Sequence, residues 1–118
     1  MRQISRFLLI ILFLGIMFSG CARTLSQNQL QFGIQAAKKD LWDEAIYRWK
    51  KVLLSDPKSA SAHNNLAVAY EKKGRWEDAK KEYELALSLA PDNKYIQANF
   101  KRFKESDEEK AKDKNEKK

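Results

Sequence analysis

Residues that carry catalytic or metal chemistry are scarce in this sequence. Cys21 and His63 are the only cysteine and histidine among 118 residues, so no internal disulfide bond can form. A zinc site takes several nitrogen and sulfur ligands close together, and two separated residues cannot supply them. A lone histidine without a placed nucleophile gives no Ser-His-acid set either. We therefore expect no enzymatic activity, no metal and no cofactor.

Glycine is also scarce, and basic residues are not concentrated anywhere. The four glycines are scattered, which excludes a glycine-rich phosphate-binding loop. The formal net charge is +7, but lysines alternate with acids along the chain. Nucleic-acid binding usually requires a basic stripe or patch. The expected partner is a protein and not a nucleic acid.

One long apolar run is present, at the amino terminus. Phe7–Phe18 is apolar apart from Gly15, and Arg2 and Arg6 precede it. This arrangement is typical of a secretory signal peptide. The alternative is a membrane-spanning anchor, but twelve helical residues reach only about 18 Å, short of a hydrocarbon core of roughly 30 Å. We assign Met1–Gly20 to a signal peptide.

The end of this run, Phe18-Ser19-Gly20-Cys21, resembles a bacterial lipobox, although phenylalanine stands where leucine is most usual. The resemblance implies cleavage before Cys21, a diacylglyceryl thioether on its sulfur and acylation of its new amine. The alternative is a free thiol after an ordinary signal peptide. Two or more acyl chains attach a protein stably to a membrane. Ala22 in place of aspartate favours the outer membrane, so we expect the periplasmic face of that membrane in a bacterial cell envelope.

The chain after Cys21 repeats itself at a spacing of 34 residues. Residues 60–91 contain two helical patterns joined at Gly74 and stopped at Pro91. A fixed spacing is typical of a repeat array. In the shifted alignment Leu66 falls on Phe32, Ala67 on Gly33, Trp76 on Trp42, Ala79 on Ala45, Tyr83 on Trp49, Ala86 on Val52 and Pro91 on Pro57.

Apolar residues at three- and four-residue steps predict two helices in each repeat. The predicted helices begin at Gln27 or Asn28, span Trp42–Ser55, run from a Ser59 or Ser61 cap to Lys73, and span Trp76–Leu89.

The pattern resembles the tetratricopeptide repeat over about residues 26–91. The residues that carry the resemblance are Leu66-Ala67, Tyr70, Gly74, Ala79, Tyr83, Ala86 and Pro91, and in the first copy Phe32-Gly33, Ala45, Trp49 and Pro57. The first copy departs at Ala36, where an aromatic residue is expected, and at Asp40, which replaces Gly74. The resemblance implies an all-α solenoid of antiparallel helix pairs, with repeats at 28–59 and 60–93.

A capping helix is predicted after the second repeat, at Lys94–Lys104, with Asp92 or Asn93 as its N-cap. Its narrow apolar stripe consists of Ile96, Phe100 and Phe103. It resembles the solvating helix that closes such arrays, since terminal units need a polar outer face. The alternative is a basic helix lying on anionic lipid.

Two charged or polar segments flank the predicted domain. Cys21–Gln27 is a short polar spacer. Glu105–Lys118 has no large apolar residue, and we expect it to be disordered or to extend the preceding helix only briefly.

The resemblance also implies a concave groove, lined by the first helix of each repeat, that holds extended or helical peptides. The corresponding residues are Leu30, Ile34 and Lys38 from the first repeat and Asn64, Asn65, Val68 and Lys72 from the second. Leu30 with Ile34 would take an apolar anchor, and the asparagines would pair with a peptide backbone. The alternative is that two repeats make too short a groove and these residues only face solvent. For His63 we expect a structural or surface role.

Together these features predict a membrane-anchored lipoprotein that acts as a protein-interaction scaffold or adaptor, with another envelope protein or a peptide segment as its partner. The alternatives are a pilotin-like assembly factor for a secretion or pilus complex and an accessory regulator of peptidoglycan enzymes. Solenoids usually need about three repeats. Two repeats and a cap therefore predict moderate stability, or stability gained from a partner or from homo-oligomerisation.

Overall fold

Five α-helices and no strand make up the part of the chain that the computed structural model describes, which is residues 24–116, with side chains to residue 113. The helices are α1 (residues 24–37), α2 (Trp42–Ser55), α3 (Ala60–Lys72), α4 (Trp76–Leu89) and α5 (Lys94–Glu116). The all-α fold is as predicted. The signal peptide and Cys21 lie outside the described residues. No helix in the described range combines the length and apolar character needed to cross a bilayer.

The helix ends follow local capping chemistry. The predicted bounds of α2 and α4 are confirmed. At the start of α3, Ser59 Oγ accepts a hydrogen bond from the Ala62 amide at 3.3 Å. At the start of α5, Asn93 Oδ1 accepts from the amides of Tyr95 and Ile96 at 3.0 and 3.2 Å. Each cap satisfies amides that have no partner within the helix.

Small residues allow the helices to pack closely. Ala45, Ala67 and Ala79 have no exposed surface. Gly33 in α1 faces the Trp49 ring in α2, and a Cβ added at residue 33 would overlap that ring. The Trp49 indole nitrogen also donates to the Leu30 carbonyl at 3.2 Å. The first hairpin therefore depends on glycine at residue 33 and on the large ring opposite it.

Tyr83 fills the corresponding place in the second repeat and is completely buried. Its hydroxyl donates to the Glu71 carboxylate at 3.0 Å, and Arg102 of α5 lies 3.8 Å from the same carboxylate oxygen. Burial raises the pKa of the Tyr83 phenol well above its usual value, and the Glu71 charge raises it further, while Arg102 opposes this. Tyr83 thus remains a hydrogen-bond donor that joins α4 to α3.

Helix α5 covers the second hairpin through aromatic packing. Phe103 lies 5.2 Å from Tyr83 and 5.6 Å from Trp76 between ring centroids, and Phe100 lies 5.8 Å from Tyr83. Ile96 and Phe103 are almost completely buried. The predicted apolar stripe of α5 therefore packs against the second repeat.

Both ends of the described chain are more helical than we expected. Helix α5 continues to Glu116, so residues 105–116 extend the preceding helix, the second of the two expected alternatives, and the extension is longer than expected. The segment has no glycine or proline, and the Lys110 ammonium lies 3.0 Å from the centroid of the Trp76 ring, which ties it to α4. Residues 24–27, assigned to the spacer, belong to α1.

The two hairpin turns share one backbone conformation despite their different residues. Gly74 has φ of 71° and Asp40, its counterpart, has φ of 58°. Glycine adopts this left-handed conformation freely, whereas a residue with a Cβ is strained there, aspartate less than most. The first repeat therefore differs from the second in residue type but not in turn geometry.

Replacing Asp40 with glycine should raise the free energy of unfolding by about 0.5–1 kcal/mol. Relief of the left-handed strain exceeds the added freedom of glycine in the unfolded chain. Urea unfolding followed by circular dichroism measures the change. Asp56→Gly is the matched control, because Asp56 has φ of -137° and carries no such strain. An equal gain in both variants would contradict the explanation.

Candidate peptide-binding groove

A groove opens between α1, α3 and the first turn of α5, with α2 at its base. It has a volume of about 510 Å³. The residues that line it are Leu30, Ile34, Ala37, Lys38, Trp42, Trp49, Ser61, Asn65, Val68 and Tyr95. Most of this surface is apolar, and no acidic side chain is among the lining residues. The groove is therefore suited to an apolar segment without a cationic group.

Five of the seven predicted groove residues line this space: Leu30, Ile34, Lys38, Asn65 and Val68. Leu30, Ile34 and Val68 are half-buried, since each also packs on the core. Lys72 is exposed but lies near the carboxyl end of α3, outside the groove. Use of the groove by a partner stays a prediction.

Asn64 is not a groove residue, because α5 covers it. Only 2% of its surface is exposed, and its Oδ1 accepts a hydrogen bond from Asn99 Nδ2 at 3.1 Å. Its own Nδ2 donates to Asn65 Oδ1 at 3.4 Å. Asn99 and Asn64 therefore link α5 to α3. Because Asn65 accepts through its oxygen, its amide nitrogen is the group that can donate to a ligand.

His63 lies on α3 and has a structural role. Its Nδ1 lies 2.6 Å from a Glu82 carboxylate oxygen, and its Nε2 lies 3.0 Å from the Pro57 carbonyl oxygen. Both partners are acceptors, so a ring nitrogen that carries a hydrogen donates to the oxygen it faces. The side chain thereby fastens the loop between α2 and α3 to α4. This agrees with the expected structural role, and His63 does not line the groove.

Five further residues line the groove and were not predicted from the sequence: Ala37, Trp42, Trp49, Ser61 and Tyr95. Tyr95 is 69% exposed and lies 34 residues after Ser61, so the repeat spacing already related the two positions. Because α5 was predicted only as a capping helix, Tyr95 was not predicted to line the groove. Trp42 and Trp49 belong to α2, the second helix of the first repeat, whereas the predicted groove is lined by first helices. Both tryptophans line the groove because α2 forms its base.

The lining residues can bind but are poorly equipped to react. The polar groups at the groove are Lys38, Ser61, Asn65 and the Tyr95 hydroxyl. In residues 24–113 no three or more histidine, cysteine or acidic side chains converge as metal ligands would. An apolar floor with a few polar groups is typical of a recognition surface.

Two family models match this part of the chain: "Tetratricopeptide repeat" at residues 60–93 and "TPR repeat" at residues 38–74. The chain folds as a tetratricopeptide-repeat solenoid. The repeats explain why Asp40 and Gly74, or Trp49 and Tyr83, occupy equivalent places. No curated protein sequence matches the chain.

Solved structures of tetratricopeptide domains resemble it. The Arabidopsis OM64 TPR domain is 19% identical, with a TM-score of 0.45, covering 72% of this chain and 98% of that one. The first TPR domain of Spaghetti (RPAP3), bound to the HSP90 peptide SRMEEVD, is 20% identical, with a TM-score of 0.42, covering 70% and 93%.

Replacing Asn64 with alanine should lower the free energy of unfolding by about 1–3 kcal/mol, because the buried Asn99 amide loses its acceptor. Lys72→Ala, on the exposed side of the same helix, should change it by less than about 0.5 kcal/mol. Thermal and urea unfolding measure both. Equal effects of the two substitutions would mean that Asn64 does not hold α5 in this way.

Proposed function

We propose that the protein is a membrane-anchored lipoprotein that acts as a protein-interaction scaffold or adaptor in the bacterial cell envelope. The observation that carries the proposal is the open, largely apolar groove on the first helices of the two repeats. Tetratricopeptide domains generally mediate protein–protein interactions, and the groove lies where a peptide segment can reach both repeats.

The chemistry of the groove specifies the kind of segment it accepts. Leu30, Ile34 and Val68 supply apolar surface for one or two aliphatic or aromatic side chains. Lys38 is exposed at the groove, and no lining acid neutralises it, so an acidic residue beside the apolar anchor is favoured. The Asn65 amide donates to a backbone carbonyl. The proposed ligand is a short apolar segment flanked by an acid, on another envelope protein.

The anchor is the second half of the proposal. Cys21 follows small residues at the end of the apolar run and stands three residues before the described helix α1. Two or three acyl chains on Cys21 would keep the domain within a few residues of the lipid surface. Ala22 favours the periplasmic face of the outer membrane. The groove would then collect partners that reach this surface.

Charge substitution in the groove should release the partner. A Leu30→Glu/Ile34→Glu variant places two acids in the apolar floor, and recovery of the partner from solubilised membranes should fall about tenfold or more, the equivalent of 1.4 kcal/mol or more. The measurement is quantitative mass spectrometry after pull-down with lipidated protein. A single secretin or pilus subunit as partner would make the protein an assembly factor instead of a general scaffold.

Two further variants separate binding from folding. Leu54→Glu/Leu89→Glu adds the same charges at exposed leucines outside the groove and should retain the partner. Tyr95→Ser removes an exposed ring at the groove without disturbing the core and should weaken recovery. If the partner is retained in the Leu30/Ile34 and Tyr95 variants alike, the groove is not the binding surface.

Replacing Cys21 with alanine should release the protein from membranes, because the lipid can no longer be attached to the sulfur. Fractionation of cells into soluble and membrane parts measures this, and Ser26→Ala serves as the control that should stay on the membrane. A Cys21→Ala protein that remains membrane-bound would show that lipidation is not its anchor.

A further inference from the structure

The side of α1 opposite the second helix pair is unusually apolar for a solvent-facing surface. Phe32 is 55% exposed, whereas Leu66, one repeat later, is 1% exposed because the first hairpin packs against it. Leu25, one heptad before Phe32 on the same side of α1, is 63% exposed, and Tyr47 of α2 is 50% exposed. No preceding hairpin covers these side chains in the described chain.

Cationic side chains join these apolar residues into one surface. The Arg48 guanidinium lies 5.7 Å from the ring centroids of both Phe32 and Tyr47, and Lys51 lies 4.9 Å from the Tyr47 centroid. Arg48 also donates to the Gln29 side-chain oxygen at 3.2 Å. We refer to Leu25, Gln29, Phe32, Tyr47, Arg48 and Lys51 as the terminal face.

We propose that the terminal face lies on the headgroup layer of the membrane that carries the lipid anchor. This inference rests on the proposed lipidation of Cys21. Leu25 follows Cys21 by four residues, and even fully extended this length of chain spans only about 14 Å. An acylated Cys21 therefore holds the start of α1 at the lipid surface, and the terminal face begins there.

The composition of the terminal face fits a lipid surface. Tyrosine is enriched at the interface between hydrocarbon and water, which suits Tyr47. An apolar ring such as Phe32 is typical of the face that a surface-lying helix buries between headgroups and acyl chains. Lys51 has a long aliphatic stem that passes along apolar surface and brings its charge to a phosphate group. The Arg48 guanidinium lies beside it, with its charge partly offset by Glu44. Apolar contact and cationic contact thus come from one side of the same two helices.

A second copy of the chain fits the terminal face less well. In a two-fold contact the same patch meets itself, which would gather Arg48 and Lys51 of both copies in one interface. The nearby acid, Glu44, already pairs with Arg48 at 2.6 Å within the chain. An anionic headgroup supplies the complementary charge without that repulsion.

Docking through the terminal face leaves the groove accessible. Leu30 and Ile34 line the groove, whereas Leu25 and Phe32 lie on another side of α1. The membrane would occupy one side of the helix and the partner the other. The orientation of the groove relative to the lipid surface would then be fixed.

The test uses the full chain, processed and lipidated in cells, then reconstituted into vesicles of phosphatidylethanolamine and phosphatidylglycerol. Cys21 is the single cysteine, so once it is acylated an introduced cysteine can be labelled alone. Asn28→Cys, between Leu25 and Phe32 on α1, receives an environment-sensitive dye. Lys101→Cys, exposed on α5, is the matched control.

Lipids brominated on the acyl chains near the headgroup should quench the dye at residue 28 and leave the dye at residue 101 unchanged. Adding Phe32→Ser and Tyr47→Ser to the Asn28→Cys protein should abolish the quenching. Vesicle flotation is measured on the same samples, because it reports the lipid anchor independently of the terminal face.

Protein that floats with the vesicles while the dye at residue 28 stays unquenched would overturn the inference and leave the anchor intact. Protein that does not float would overturn the anchor and the inference together. A dye at residue 28 that is shielded from water, insensitive to brominated lipid and released on dilution would show that a second copy covers the terminal face, which also overturns the inference.

Discussion

Each helix pair in this fold has two broad faces, and burying both of them is the constraint on which the rest of the structure depends. The second hairpin is covered on both sides: the first hairpin covers one face, and α5 covers the other through the contacts of the Phe103 ring with Tyr83 and Trp76. The first hairpin has a neighbour on one side only. Phe32 and Tyr47 on its other side are half exposed, although Leu66, the counterpart of Phe32 one repeat later, is buried. The lack of a second neighbour in the described chain therefore leaves apolar side chains exposed at this end.

Close packing within each pair follows from the same constraint. A pair can present flat faces only if its two helices approach closely, and this is possible where Gly33 meets Trp49 and where Ala67 and Ala79 are buried. The large ring in each case fills the space that the small residues leave. Substituting one partner alone would open a gap or force a clash, since interiors are packed near crystal density.

The helices could be predicted from the sequence because periodicity specifies which residues share one side of a helix. The bounds of α2 and α4 follow from that rule, whereas the five groove residues follow from the resemblance to the tetratricopeptide repeat. Periodicity does not specify which neighbour covers a given side. Asn64 has the spacing of a groove residue, yet Asn99 of α5 packs over it. The length of α5 could not be predicted from composition for a similar reason. Composition shows whether large apolar residues are present, but it does not show that the Lys110 ammonium contacts the Trp76 ring and holds α5 to α4.

The side-chain amides of Asn99, Asn64 and Asn65 form a line of hydrogen bonds that all run in one direction, from the cap towards the groove. In this arrangement Asn65 uses its side-chain oxygen within the line and leaves its amide nitrogen at the groove. If all three amides turned by half a revolution, the line would run the other way and Asn65 would present its oxygen there instead. The polar group at this point of the groove is therefore coupled to Asn99 of the capping helix, which does not line the groove.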